Sequence, residues 1–471
     1  MSEQTEIDEK TKEVETLLGD PKKAILAIAL PTAVALIAQS VNSLVDAAWV
    51  AGLGSDALTA VGIIFPIFFI VIGISNGIGV GAASAISKRI GAGNKTDADK
   101  TASHAIVLVI LVSAIMTIIM MLVLEPMIRL IGGDASESTI QECLNYGRPL
   151  VLFTFVFMLI GVMSSILRSE GAAKRSMYIL IIAALINVVL DPFFIYDYGL
   201  GWGMTGAALA TILAESVALS VMFYWYFVKK DLFLKFRFRG FRFEKEIIKD
   251  IFKVGIPASA EMIIMSVVMM VTNIILLMAG GDDAVAIYSS DWRLINVLAI
   301  PMMGIASGIV PVCAAAFGAG RADKIRVALN YSSKISCLSM IVISTVAMIF
   351  APQILYVFTY GPDTEYLREG MVEFLRVACL FLPFMAFSYI GVSFFQALGM
   401  GMKSLVAMIF MSFIMVPSCY IIMLTTEGMT LIWWTMAASE IIGSLFIVFW
   451  SRSTLKKVER NMEMSISHNI G

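Results

Sequence analysis

The chain contains the stretch GIGVGAASAISKRIGAG at residues 77–93, and residues 304–320 read GIASGIVPVCAAAFGAG. Three glycine features recur at a constant offset of 227: Gly77, Gly81 and Gly91-Ala92-Gly93 correspond to Gly304, Gly308 and Gly318-Ala319-Gly320. At an offset of 228, Arg148, Gly171, Arg175 and Ser176 correspond to Arg376, Gly399, Lys403 and Ser404. Because the offset slips by only one position over so long a stretch, we infer that the two halves arose by duplication.

The composition of the chain indicates a membrane protein. Of its 471 residues, 59% are hydrophobic and 15% are charged, and the mean hydropathy is +0.87. A soluble globular protein carries about 25% charged residues. The chain has a series of apolar stretches of about 20 residues each, long enough to cross a hydrocarbon core of about 30 Å. The segment 1–23 is polar and contains no apolar core before a cleavage site, so no cleavable signal is predicted.

These stretches predict an all-α polytopic membrane protein, with twelve transmembrane helices in two pseudo-symmetric six-helix lobes. The expected spans are 24–50, 57–82, 102–124, 146–166, 176–197, 203–227, 252–279, 285–312, 329–350, 372–397, 403–424 and 428–450. They divide the chain into an N-terminal tail (1–23), an N-lobe (24–228), a basic linker (229–251), a C-lobe (252–452) and a C-terminal tail (453–471). Two similar halves in a membrane are typical of secondary transporters.

Basic residues indicate the orientation. They lie in alternate connections and after the last span: Lys88, Arg89, Lys95, Lys100, Arg168, Lys174, Arg175, Arg321, Lys324, Arg326, Lys403, Arg452, Lys456, Lys457 and Arg460. The opposite connections are acidic or neutral, as in Gly54-Ser55-Asp56, Gly132-Gly133-Asp134 and Gly361-Pro362-Asp363-Thr364-Glu365. The positive-inside rule then predicts a plasma (inner) membrane protein with both termini in the cytoplasm, which requires an even number of spans.

The segment between the halves combines basic and aromatic residues. It carries Lys229, Lys230, Lys235, Arg237, Arg239, Arg242, Lys245, Lys249 and Lys253, interleaved with Phe233, Phe236, Phe238, Phe241 and Phe243. A nucleic-acid patch is one interpretation, since such residues can contact phosphates and bases. A linker lying on an anionic leaflet is the favoured one, with Phe in the acyl boundary and Arg among headgroups. We therefore expect membrane lipids as partners and no nucleic acid.

Covalent chemistry is not indicated. The five cysteines are odd in number and show no metal-like spacing: Cys143, Cys313, Cys337, Cys379 and Cys419. His104 and His468 stand at a span edge and in the tail, which disfavours a histidine-centred site. No nucleophile elbow, phosphate-binding glycine loop or Cys-x-x-Cys motif is present. The chain is therefore not expected to be an enzyme.

Carboxylates inside apolar spans are the features that point to function. Asp46 lies within the first span, and Asp191 ends the fifth span, four residues after Asn187 on the same helix face. Glu215 follows Thr211 by one turn in the sixth span. A carboxylate inside the bilayer costs several kcal/mol unless it is paired, faces a cavity, or binds a cation or proton. Similarly placed acids of the second half are Glu261, Glu373 and Glu440.

Several motifs resemble the multidrug and toxic compound extrusion (MATE) family of transporters. They are Leu18-Gly19-Asp20-Pro21-Lys22-Lys23-Ala24-Ile25, Ala29-Leu30-Pro31, Val45-Asp46, Gly91-Ala92-Gly93, Leu167-Arg168-Ser169-Glu170-Gly171 and Asn187-Val188-Val189-Leu190-Asp191-Pro192. The resemblance covers both halves and nearly the whole chain. It implies two lobes of six helices and secondary active efflux, in which cationic amphipathic compounds are exchanged for Na⁺ or H⁺.

The same resemblance assigns site residues. Asp46, Asn187, Asp191 and Thr211 fall on the family's N-lobe cation site, and Pro31 falls on the proline where the first helix bends. Oxygen ligands of these types suit a hard cation such as Na⁺. Two carboxylates around one cavity can instead bind protons. The expected coupling ion is therefore Na⁺ or H⁺, and no other cofactor is expected.

The expected substrate cavity draws on both halves. Its candidate residues are Gln39, Ser164, Ser165, Glu261 and Met265. Ser164 and Ser165 stand where similar proteins often carry another asparagine in the fourth helix. Some of the 31 methionines could give a deformable lining for varied small cationic or amphipathic substrates. We expect a monomer.

Two other functions remain open at this point. One is a flippase of lipid-linked saccharides from the same superfamily, although such proteins often carry more basic residues in the cavity, whereas the N-lobe spans here carry acids. The other is a membrane receptor or channel that transports nothing, which the duplicated halves and buried carboxylates disfavour.

Overall fold

The computed structural model describes residues 11–133, 135–359, 361, 364–425 and 428–470. The helices of the first half are α1 (Lys12–Leu18), α2 (Pro21–Ala51), α3 (Ser55–Gly91), α4 (Lys95–Gly132), α5 (Glu137–Leu152), α6 (Thr154–Ser169), α7 (Ala173–Ile195) and α8 (Gly203–Phe223), which continues as a π-helix (Tyr224–Lys229). Those of the second half are α9 (Lys245–Leu298), α10 (Ile300–Gly318), α11 (Ala322–Ile349), α12 (Ala351–Tyr356), α13 (Arg368–Ala397), α14 (Gly401–Thr425) and α15 (Thr430–Ile470). Asp134, Pro362 and Asp363 of the predicted acidic connections lie outside the described residues, as do residues 1–10, Tyr360, residues 426–427 and Gly471 of the rest of the chain.

The predicted all-α membrane fold is confirmed. Eleven helices are long and apolar enough to cross a membrane, and the pair α5 and α6, bent by 54°, makes a twelfth span. The bend lies at Phe153, whose backbone leaves helical geometry (φ −98°, ψ 21°). Pro149 lies one turn earlier, and a proline weakens a helix because it removes a backbone hydrogen bond.

The long helix α9 contains a break that restores the repeat. Its 54 residues would rise about 80 Å, far more than one crossing needs. Gly281 interrupts it with φ 67°, a left-handed conformation that glycine adopts readily. Residues 282–298 therefore continue into α10, and together they form a span at 282–318. This span is the counterpart of α3 at residues 55–91, at the same offset of 227.

The repeated glycines lie where the two lobes meet. A Cβ on Gly91 would overlap the carbonyl oxygen of Ala315, and one on Gly318 would overlap that of Lys88. Four other repeated glycines make similar approaches: Gly77 to Gly255, Gly81 to Ile251, Gly304 to Ala29 and Gly308 to Ile25. Gly93 and Gly320 instead adopt positive φ (74° and 65°) in the turns that follow. Only glycine permits such close helix packing, because its backbone can approach another without a side chain between them. The duplicated motif therefore builds the lobe interface.

Helix α1 and the C-terminal part of α15 lie at the end of the bundle that carries the basic connections, here called the basic end. Lys324 Nζ donates hydrogen bonds to the carbonyl oxygens of Leu18 and Gly19, the latter at 2.9 Å. Arg326 pairs with Glu459 of α15 at 2.7 Å. Helix α15 continues through most of the predicted C-terminal tail as a regular helix.

The linker between the lobes is held against the N-lobe by side chains. Its backbone N–H groups at Lys235, Arg237 and Glu244 donate to Asp99 Oδ1 (2.9 Å), Ser103 Oγ (2.8 Å) and His104 Nε2 (3.0 Å) of α4. Helix α9 begins at Lys245, within the predicted linker 229–251. Phe233 is only 6% exposed and packs in the N-lobe core, so the expectation that the linker phenylalanines face lipid is wrong for this residue.

Candidate functional site

Helices α2 and α7 run parallel and in register. Asn42 Nδ2 donates to Asn187 Oδ1 at 2.9 Å, although the two residues are far apart in sequence. Asp46 and Asp191 are separated by the same interval along the chain, and their carboxyl groups lie within hydrogen-bonding reach of each other. The two acids therefore face each other one turn beyond the asparagine pair.

Asn187 joins the predicted site residues into one cluster. Its Nδ2 donates to Asp191 Oδ1 at 2.8 Å within α7 and to Thr211 Oγ1 of α8 at 3.3 Å. The four-residue spacing of Asn187 and Asp191 places both on one face of α7, as the sequence indicated. Asp46, Asn187, Asp191 and Thr211 thus converge from three helices.

The acid pair lacks a basic partner, and one of its two carboxyl groups is fully buried. Asp191 is fully buried and Asn187 is 3% exposed, whereas Asp46 is half-buried. Among the described residues, Asp46 Oδ1, Asp191 Oδ2 and Asn42 Oδ1 have no hydrogen-bond partner. No ion pair of the described part of the chain includes either aspartate. Charge here must be balanced by a bound cation or by protons, because an unpaired buried carboxylate costs several kcal/mol.

A small cavity adjoins the cluster. Its volume is about 40 Å³, and it is lined by the polar residues Gln39, Asn42, Asn187, Thr211 and Glu215 and by the apolar residues Leu180, Ala183, Ala184 and Ala214. A cavity needs roughly 10–15 Å³ to contain one water molecule, so water or a small cation fits. Neutral and acidic oxygen atoms line it, which is the ligand type that a hard cation prefers.

Three residues of this site were not among the predicted ones or were given no role. Asn42 stands one turn before Asp46, and Glu215 stands one turn after Thr211, so helical spacing could have identified both. Tyr146 of α5 is 9% exposed and lies close enough to Asp46 and Asp191 for a charge interaction. No local sequence pattern places Tyr146 there, because its position depends on how α5 packs.

Two aromatic side chains adjoin the site on the side away from the basic end. The Tyr196 hydroxyl donates to the carbonyl oxygen of Trp49 at 2.7 Å, and the two rings meet edge to face at 6.2 Å. Trp49 stands one turn beyond Asp46, and Tyr196 follows Asp191 by five residues. This contact ties α2 to α7 directly beside the acids.

The two serines of the fourth span lie outside the acid cluster. Ser165 Oγ accepts a hydrogen bond from Arg168 Nη2 at 2.8 Å and donates to the carbonyl of Gly161 at 3.1 Å. Its Oγ also occupies the space that a Cβ on Gly79 would need. Ser164 is 4% exposed, and its hydroxyl has no partner among the described residues. In this conformation both serines pack between helices.

The remaining predicted residues are spread over α2 and α9. Pro31 is buried, and α2 continues through it without interruption. Glu261 is 7% exposed and accepts hydrogen bonds from Gln396 Nε2 (2.9 Å) and from the Ser404 hydroxyl. Met265 follows Glu261 by one turn and is half-buried. Gln39 is exposed and contributes to the lining of the cavity beside the acid cluster.

Comparisons with known proteins agree with this architecture. The family model described as MatE matches residues 31–193 and, a second time, residues 257–421. The starts and the ends of the two matched stretches are spaced as the glycine repeat requires, to within one position. Multidrug export protein MepA of Staphylococcus saprophyticus is 26% identical over 445 residues, which cover 92% of this chain and 94% of that protein.

Solved structures are similar over the whole length of the chain. Two of them, titled as crystal structures of MATE in the straight conformation and in the bent conformation, are 34% and 33% identical to this chain. Each has a TM-score of 0.91, and each comparison covers 96% of this chain and 100% of the other. The resemblance noted in the sequence is thereby confirmed. The chain belongs to the multidrug and toxic compound extrusion (MATE) family, and it is a transporter rather than an enzyme.

Proposed function

We propose that this transporter exports small cationic amphipathic compounds in exchange for Na⁺ or H⁺, which binds at Asp46 and Asp191 of the N-lobe. The observation that carries the proposal is the pair of facing carboxyl groups that lack a basic partner. Each of them retains an oxygen without a hydrogen-bond partner. In the membrane interior, such a pair of carboxylates needs a positive charge nearby. Because the described residues supply none, a bound Na⁺ or proton must supply it.

The side chains of the site could bind either of two alternative coupling ions, Na⁺ or H⁺. For Na⁺, the two carboxylates would bind the ion together with Asn42 Oδ1 and Thr211 Oγ1, and water from the adjoining cavity would complete the shell. For H⁺, the pair would share protons, since like charges so close together resist simultaneous ionisation. In both cases, neutralising the two carboxylates allows α2 and α7 to pack together at the site.

Pro31 supplies the conformational response in this proposal. It lies in the same helix as Asp46, four turns nearer the basic end, and its missing N–H weakens α2 locally. An ion can shift an equilibrium only between states that it binds unequally. Occupancy at Asp46 would therefore bias α2 between a straight and a bent form. The solved structures titled as straight and bent forms of a MATE protein support this mechanism by analogy.

The proposed substrate class rests on the charge near the cavity and on the residues that line it. Glu215 lines the cavity and Asp46 and Asp191 lie beside it, so the negative charge of this region attracts cations, and Gln39 adds a polar side chain to the lining. Ser164, Ser165, Glu261 and Met265 would join the substrate route in another arrangement of the lobes. The name multidrug export protein of the relative MepA supports a broad range of compounds.

The orientation is part of the proposal. If the basic end faces the cytoplasm of a plasma membrane, as the positive-inside rule predicts, both termini are cytoplasmic. The lobes, residues 24–228 and 252–452, then pack tightly on the cytoplasmic side through their repeated glycines. The conformation described is accordingly closed to the cytoplasm, and the acid pair would exchange ions with the outside. We propose that one chain suffices for transport and that the basic linker contacts anionic lipid.

Transport in reconstituted vesicles tests the proposal. The full-length chain is placed in proteoliposomes with a fluorescent organic cation such as ethidium, and Na⁺ and H⁺ gradients are imposed separately. We expect at least one gradient to drive the dye against its concentration difference, and empty vesicles to show no such movement. If neither gradient drives the dye, the proposed exchange is wrong.

A further inference from the structure

Asp291 is a carboxylate that the proposed site does not use. It lies in residues 282–298, the outer part of the span that continues into α10, and it is fully buried. Neither of its carboxylate oxygens has a hydrogen-bond partner among the described residues. Glu261 of the same lobe is different, because Gln396 and Ser404 both donate to its carboxylate.

The surroundings of Asp291 are apolar and aromatic. Tyr288, one turn earlier, stacks on Trp292 at 5.6 Å, and its ring also meets Phe374 of α13 at 5.7 Å. Phe374 in turn packs on Trp433 of α15 at 4.4 Å. These residues belong to the second of the two buried apolar clusters, which is formed by the C-lobe. Water is excluded from the carboxyl group in this arrangement.

The titratable neighbours of Asp291 carry no positive charge. They are Tyr288 on its own helix and the thiol of Cys379 on α13, with Cys419 of α14 close to the Tyr288 ring. No described acid or base of α11 or α15 interacts with it. None of the ion pairs among the described residues includes Asp291. A neighbouring cation therefore does not stabilise an ionised form.

This arrangement fixes the protonation state of the carboxyl group here. An ionised carboxylate without a partner in the protein interior loses the solvation of its full charge. A neutral carboxylic acid in the same place loses only its hydrogen bonds to water, which is a much smaller cost. In the conformation described, Asp291 is therefore a neutral acid that carries one proton.

The helix segment that carries Asp291 lies between a glycine break and a proline. Gly281, with φ 67°, separates it from the rest of α9. At the other end, Ala299 keeps helical dihedral angles (φ −77°, ψ −12°), and Pro301 near the start of α10 lacks the N–H that would bond to the preceding turn. The counterpart in the N-lobe, residues 55–71, has no break like that at Gly281 before it in the same helix, because α3 begins at Ser55. Residues 282–298, here called the hinged arm, can therefore change their packing about the hinge at Gly281.

We propose that Asp291 is a proton-binding site of the C-lobe, which takes up and releases one proton as the hinged arm moves. With the arm packed as described, the carboxyl group keeps the proton. When the arm shifts and water reaches the group, the O–H bond breaks, the proton passes to water, and the carboxylate keeps the electron pair. The inference rests on the proposed function insofar as it assigns a second proton to the transport cycle.

Infrared difference spectroscopy of the full-length chain in lipid nanodiscs tests this directly. The carbonyl stretch of protonated carboxyl groups is compared between low and high pH, so that only groups that change protonation contribute. We expect Asp291→Asn to lose one band from the wild-type difference spectrum and Asp291→Glu to shift it. The matched control is Asp283→Asn, which changes an exposed aspartate of the same arm that bonds to Tyr366, and it should keep the band.

Two outcomes separate the inference from the proposed function. If the Asp291→Asn difference spectrum equals that of wild type, the inference is overturned, because Asp291 then does not change its protonation state between the two pH values. If Asp291→Asn fails to fold, the position of the band in Asp291→Glu decides, and an unshifted band overturns the inference. Dye transport is measured in parallel with wild type. If neither gradient drives transport, the proposed exchange is rejected, while the spectra still decide the role of Asp291.

Discussion

Gly91 and Gly318 occupy reciprocal positions at the lobe interface. A side chain on Gly91 would overlap the carbonyl oxygen of Ala315, and one on Gly318 would overlap that of Lys88. Lys88 and Ala315 are themselves separated by the repeat offset of 227. The pseudo-symmetry of the two lobes therefore relates the contact of Gly91 with Ala315 to the contact of Gly318 with Lys88. The two contacts close the basic end of the molecule.

Adding a methyl group at this contact should open the basic end. We expect Gly318→Ala and Gly91→Ala to shift the population toward a state in which the lobes are separated there, because overpacking costs about 1–3 kcal/mol. Spin labels at Asn94 and Arg321, two exposed repeat counterparts, report the separation. The control is Gly62→Ala in α3, where a Cβ meets no atom within 4 Å. Equal distance distributions in all variants would contradict a closing role for these glycines.

The bend of α2 can be tested at Pro31. Replacing it restores a backbone N–H and a helix hydrogen bond, which should favour a straight helix. We expect Pro31→Ala to slow dye transport more than it weakens dye binding, because the variant changes an equilibrium between states and not the site itself. Transport rate and equilibrium binding are measured on the same preparation. If both are unchanged, Pro31 serves packing only.

Glu170 should make the stability of the molecule depend on pH. It lies in the turn after α6, accepts hydrogen bonds from the Tyr226 hydroxyl (2.8 Å) and the Leu234 N–H (2.9 Å), and is 1% exposed. Burial raises the pKa of its carboxyl group from 4.5 to about 7. The folded protein therefore retains a proton between these pH values that the unfolded chain has released, so stability falls as pH rises from about 4.5 to about 7.

A conservative variant isolates this effect. Each pKa unit corresponds to about 1.4 kcal/mol, so the loss from Glu170 is on the order of 3 kcal/mol. We expect Glu170→Gln to lower this part of the pH dependence of the unfolding temperature, because glutamine does not ionise. The measurement is thermal unfolding in detergent at a series of pH values. If wild type and Glu170→Gln lose stability in parallel as the pH rises, Glu170 is not the group responsible.

Glu261 provides the main alternative to an N-lobe ion site. It follows Pro257 by one turn, and its carboxylate oxygens already accept hydrogen bonds from Gln396 and Ser404. We expect Glu261→Gln to retain Na⁺ or proton binding and to weaken substrate protection of cysteines introduced near this residue. Should Glu261→Gln lose ion binding while Asp46→Asn and Asp191→Asn retain it, the N-lobe assignment is wrong.

Much of the fold could be predicted from local pattern. The lengths of the apolar stretches predict the membrane spans, and the glycine repeat predicts the two lobes. Both patterns can be read directly along the sequence. The spacing of Asn187 and Asp191 likewise places both on one helix face, because residues four apart in a helix project from the same side. Asn42 and Glu215 follow the same rule relative to Asp46 and Thr211.

The rest depended on contacts between distant segments. Tyr146 reaches the acid pair only through the packing of α5, and Phe233 is buried only because α4 and Glu170 bind the linker backbone. Asp291 stands six residues into the predicted span 285–312, where headgroups could have solvated it. Its burial depends on the aromatic residues of α13 and α15, which no local pattern brings together.

The acid pair is tested most directly by Asp46→Asn and Asp191→Asn in proteoliposomes, with dye binding and gradient-driven dye efflux measured on the same protein. Asparagine keeps the shape of the side chain and cannot cycle its charge. The account predicts that both variants fold and bind the dye, and that efflux driven by the coupling gradient falls to the level of empty vesicles. Efflux at the wild-type rate by either variant, at equal protein content, would contradict the account.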